Sequence, residues 1–142
     1  NLSIANISGK ALRANEVFTV YMSYKYVKNN NMTQAMKAAA DTGFHPKLGN
    51  KTGAEAVTAH ELGHYLSTQA TTKAKVSERE IVSRAAKKLG VKTNNLAGLI
   101  SEYARYNYSE TIAEASADVF CNGKKANKAS IAVMNEIKSI LK

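Results

Sequence analysis

The sequence predicts an α+β fold, mostly helical with a small N-terminal sheet, built as one domain over residues 1–142. Three observations lead there. The opening "NLSIANI" alternates Leu2 and Ile4 with polar residues, the period of a short strand. From residue 33 onward the chain is a succession of segments bounded by helix caps and glycines. Two of those segments open on the S/T-x-x-E relation of a capping box, Thr52 with Glu55 and Ser77 with Glu80.

Taken in order, "EVFTVYMSYKYV" (16–27) has the β-branched and aromatic content of a strand. Val17, Val20, Tyr21, Tyr24 and Val27 nevertheless share one helical face, and a cap at Asn15 with a stop at "KNNN" favours a helix. "TQAMKAAADTG" reads as a short helix capped by Thr33 and closed by Gly43. "FHPKLGNKTG" reads as a loop, because Pro46 pushes His45 to an extended backbone and two glycines follow. The Thr52 box starts a helix carrying "AVTAHELGHYL", and the Ser77 box starts one that runs to Leu89 with Gly90 at its end. A short helical stretch around Leu96 to Ser101 comes next. Ser109 then caps a helix through "ETIAEASADVF" that Asn122 and Gly123 terminate. Ile131, Met134, Ile137 and Leu141 give the last helix an apolar stripe for the core.

Composition narrows the function classes. No apolar run is long enough to span a bilayer, so no transmembrane segment is expected. Cys121 is the one cysteine, which excludes an intrachain disulfide and cysteine-rich zinc sites, and its place at a helix end suits a buried structural thiol. Twenty Lys and Arg against eleven Asp and Glu leave a net charge of +9. That balance favours acidic partners, nucleic acid among them, yet the basic residues are dispersed and no base-reading motif accompanies them. The chain opens at Asn1 rather than methionine, from which we expect a domain cut out of a longer protein, and as an isolated domain we expect a monomer.

The chemistry is concentrated in "HELGH". On a helix, His60 and His64 stand one turn apart on nearly the same face, so both imidazoles can reach one metal ion. Glu61 is turned about a quarter revolution from His60, from where it can reach a water beside that metal and act as its base. Gly63 weakens its own helix, which suggests a close approach of another backbone. A catalytic zinc needs a third protein donor and an open position. His45 is one candidate. The other is the segment "SETIAEASAD", which offers Glu110, Glu114 and Asp118 on one helix; of Glu110 and Glu114, one can ligate while the other accepts a hydrogen bond from a ligand imidazole.

"HELGH" followed by "YARYNYSETIAEASAD" resembles the gluzincin zinc metallopeptidases. The likeness is greatest to the group containing the catalytic domain of anthrax lethal factor and the zincin domains of phage head-morphogenesis and polymorphic-toxin proteins, and it covers about Phe44 to Ala117. The resemblance implies a zincin-like metallopeptidase fold and a Zn2+ ion held by His60, His64 and Glu110. It also implies Glu61 as general base, Glu114 as partner of a ligand histidine, and Tyr103 as stabiliser of the tetrahedral intermediate. Tyr106 and Tyr108 depart from the pattern, and either could stand in for Tyr103. The implied substrate is a protein or peptide, cleaved by an endopeptidase that is phage-associated or secreted or injected with its parent protein. The competing reading is a catalytically silent zinc-binding assembly module.

Overall fold

The computed structural model describes residues 31–142, and 78% of them are helical. Helix α1 (Asn31–Asp41) is followed by an irregular loop, then by the long α2 (Gly53–Ala74) and by α3 (Glu78–Leu89). The four-residue α4 (Thr93–Leu96) continues into a 3-10 turn (Ala97–Leu99), and a second 3-10 turn spans Tyr103–Arg105. α5 (Tyr108–Asn122) and α6 (Lys128–Leu141) complete the described chain. The expectation of an α+β, zincin-like fold with a small N-terminal sheet is therefore corrected: the described residues contain no strand and are all-α. The expectation of a sheet leaned on residues 1–7, which, with 16–27, lie outside the described residues. In the rest, capped segments of helical period bury their apolar faces on one another without a sheet.

The caps show why the helices start where they do. Thr52 Oγ1 accepts from Glu55 N at 3.2 Å, and Thr52 N donates back to Glu55 Oε1 at 3.1 Å, the full reciprocal box. Ser77 makes only its own half: its Oγ accepts from Glu80 N, while the Glu80 carboxylate turns to Arg84. Two predicted caps are corrected. Thr33 lies inside α1, and its hydroxyl accepts from Gly53 N at 2.8 Å, so it ties α1 to the start of α2. Asn107, not Ser109, caps α5: its backbone is extended and its Oδ1 accepts from Glu110 N at 2.8 Å.

The main core lies among α2, α3, α5 and α6, where Ala70, Ile81, Val82, Leu96, Ile112 and Val133 are fully enclosed. Each large aliphatic side chain buried this way stabilises the fold by roughly 1.5–3 kcal/mol. In α6 the expected stripe is found in part, with Met134 and Ile137 buried and Leu141 packed against the core. Ala129, Val133, Met134 and Ile137 face inward, whereas Ile131 is only partly covered. Asp118 docks the first turn of α6, its Oδ2 accepting from Asn127 N and Ser130 Oγ at 2.9 and 2.6 Å. Among the described residues no helix is long and apolar enough to cross a membrane.

Candidate metal centre

Helices α2 and α5 cross at a point made of small residues. A Cβ on Gly63 would stand 2.7 Å from Ala113 Cα and 2.7 Å from Ser116 Cβ, so only glycine admits this approach. Ser116 Oγ donates to Ala59 O at 2.8 Å across the same contact. The close approach inferred from Gly63 is thus with α5, and it sets the histidines of α2 against the carboxylates of α5.

His60 and His64 meet edge to face, ring centroids 5.0 Å apart. His60, Glu61 and His64 each present a ligand atom within 4.8 Å of the others, a group that can hold a metal ion. Glu110 faces it from α5, with Oε2 3.0 Å from His60 Nε2 and 3.3 Å from His64 Nε2. Donors about 2.0–2.1 Å from one tetrahedral ion are about 3.3 Å apart, so these separations match a shared ion. The same oxygen is buried and has no properly directed hydrogen bond from either imidazole. Without a metal this oxygen is compensated only by its ion pairs to the two imidazoles, and a cation between the three atoms would satisfy it directly. The residues present therefore fit a metal ion.

The far nitrogens are held. Glu114, almost fully buried, places Oε2 2.9 Å from His60 Nδ1. Burial works against its charge, but hydrogen bonds from His45 and His60 outweigh it and keep its carboxyl below the ordinary range. An ionised carboxylate only accepts, so His60 Nδ1 carries the proton and Nε2 can offer its lone pair. Ser109 Oγ lies 2.9 Å from His64 Nδ1, which explains why this serine is not spent on a cap.

Without a metal, the ionic balance is tight. Burial opposes charge on His60, yet the carboxylates of Glu110 and Glu114 prevail and raise its pKa to about 9. Glu110 is likewise penalised by burial but is held at about 2 by the two imidazoles. Glu61 is 4% exposed; burial lifts its pKa against the lowering effect of His60 and His64.

Glu61 borders a cavity of about 200 Å³ that is also lined by His45, Tyr103, Met36, Val57 and Cys121. Of the three tyrosines, Tyr103 is the one at the site, its ring 5.9 Å from that of His60. Burial, then the charges of Glu110, Glu114 and Glu61, raise its pKa and keep the phenol protonated. Tyr106 is 72% exposed and meets Tyr103 at a tilt, ring centroids 5.1 Å apart, and Tyr108 packs against the main core. His45 is not turned toward the Nε2 pair; its Nδ1 meets Glu114 Oε1 at 2.6 Å. Asp118 faces α6, and Cys121 is buried with its thiol pushed up to about 11, first by burial and then by Asp118. Ser101, whose Oγ donates to Glu114 Oε1 at 2.9 Å, carries no sequence signal for that role.

The fold and site thus define an all-helical frame holding a histidine–carboxylate cluster suited to a metal ion. No protein-family model, curated protein or solved structure matches the chain.

Proposed function

We propose that this chain is a zinc-dependent endopeptidase of the gluzincin type, with His60 Nε2, His64 Nε2 and Glu110 Oε2 as the protein donors. The observation that carries the reading is the buried Glu110 oxygen, at ligand-to-ligand distance from two imidazole nitrogens and without a well-directed hydrogen bond from either. Two imidazoles and one carboxylate are the three-donor set of catalytic zinc rather than the four donors of a closed structural site. A bound zinc ion supplies Lewis acidity toward a water and a carbonyl oxygen.

The chain's own groups do the rest. Glu61 lines the cavity beside His60, where its carboxylate can take the proton of a water attacking the peptide carbonyl. Its raised pKa makes it a better base than an exposed glutamate, and it then passes the proton to the leaving amine. The protonated Tyr103 phenol donates a hydrogen bond to the carbonyl oxygen as negative charge grows there. Glu114 and Ser109 keep the two imidazoles oriented.

Glu61→Gln should retain zinc, measured by elemental mass spectrometry, and lose cleavage of a denatured protein by about 10²–10⁴-fold. His64→Ala and Glu110→Ala should lose the metal. Cleavage by the Gln variant at the parent rate would remove Glu61 from its role. A parent that binds one zinc and cleaves nothing would favour the silent assembly module.

A further inference from the structure

We infer that His45 is a positioning residue of this centre, acting through the Glu114 carboxylate, and that the loop at 43–50 exists to deliver it. The inference rests on the zinc reading above.

The loop has no helix or strand of its own, yet it is fastened at both ends. Upstream, Glu102 N donates to Gly43 O at 2.9 Å and Tyr103 N to Phe44 O at 3.0 Å, joining it to the Tyr103 turn. Downstream, Asn122 Nδ2 donates to Lys47 O at 2.8 Å, and Leu48 is buried beside Ala56 and Cys121. Gly49 has φ +58°, and a Cβ there would lie 2.6 Å from Cys121 O, so the chain presses directly onto the end of α5. Ordering an irregular segment this thoroughly costs chain entropy, which its one deep polar contact gives reason for.

That contact is His45 Nδ1 with Glu114 Oε1, 2.6 Å. The Glu114 carboxylate is then satisfied from three sides: His45 and Ser101 on Oε1, His60 on Oε2. With Oε1 pinned, Oε2 is held where it meets His60 Nδ1, and the His60 ring is held with Nε2 toward Glu110. The His45 ring also lies 5.0 Å from that of Tyr103, so the same side chain braces the phenol. Its bonded nitrogen faces a carboxylate that is itself outside the donor set, which is the place of a support and not of a ligand.

The test compares zinc affinity, by competition with a chromophoric chelator, in the parent, His45→Ala, His45→Gln, Glu114→Gln and the His45→Ala/Glu114→Gln double variant. Thermal melts of the metal-free proteins verify that each is folded. His45→Ala should still take up one zinc but bind it about 10–100-fold more weakly. His45→Gln, which keeps an N–H donor, should recover much of that loss. The double variant should bind no more weakly than Glu114→Gln alone, because His45 acts only through that carboxylate. Additive losses in the double variant, or abolished zinc uptake in folded His45→Ala and His45→Gln, would overturn the inference. Unchanged affinity in His45→Ala with an active, zinc-loaded parent would sink this inference alone, whereas a parent that takes up no zinc would sink the metal reading along with it.

Discussion

Gly63→Ala is the sharpest probe of how the frame holds the site. In an unpacked helix interior this change stabilises by about 1 kcal/mol, because alanine restricts the unfolded chain. Here the added methyl would sit 2.7 Å from Ala113 Cα and Ser116 Cβ. Carbon atoms prefer about 3.5–4.0 Å, so α5 must retreat by about 1 Å. Overpacking of this kind costs about 1–3 kcal/mol, and with backbone as one obstacle the upper part of that range applies, which leaves a net loss of about 1–2 kcal/mol. The same retreat carries Glu110 Oε2 away from nitrogens now 3.0 and 3.3 Å distant. Metal coordination tolerates about 0.2 Å, so zinc affinity should fall at least about tenfold. Urea denaturation of the metal-free protein and chelator competition measure the two effects. A variant that gains the full helix-propensity increment and binds zinc like the parent would refute the packing argument.

Other expectations follow from the same geometry. In the metal-free protein, the stabilisation from charged His60 is complete below about pH 6.5 and is lost as pH rises through about 9. That from ionised Glu110 is present above about pH 4.5 and is lost as pH falls through about 2. Urea midpoints should therefore fall between pH 7 and 9.5, and an unchanged midpoint there would contradict the His60 environment. Asn107→Ala should cost about 1 kcal/mol through the lost cap. Ser109→Ala should spare that cap but weaken zinc binding by up to about 10–100-fold; urea melts and chelator competition distinguish the pair. Cys121 should resist iodoacetamide at pH 7 in the folded protein, since its thiol is buried and pushed up to about 11; rapid alkylation without unfolding would argue otherwise.

What was legible in the sequence is what depends on local periodicity. The four-residue spacing brings His60 and His64 together, and the next four-residue spacing sets Glu110 and Glu114 on one face of α5, because a helix turns the same way wherever it is placed. The cost of Gly63 pointed to a close neighbour, although not to which one. The caps were less legible: Ser109 and Asn107 are both good cap residues, and the choice between them follows from His64 claiming the serine hydroxyl across the helix pair. The same competition took Thr33 from its own helix to the start of α2. His45 and Ser101 were not legible as partners of Glu114. They reach it from irregular segments whose path is set by main-chain bonds far apart in sequence. The α+β expectation put its sheet in residues 1–7, outside the described residues, and the described residues hold helices and no strand.

Because Glu110 and Glu114 ride on one rigid rod, a rotation of α5 about its own axis cannot retune one without disturbing the other. Any drift that shifted the inner oxygen would drag the outer one off its imidazole in the same movement. If the centre holds zinc as proposed, retuning it for a different ion would be easier by exchanging side chains around His64, where the support is a single hydroxyl, than by reshaping the helix pair.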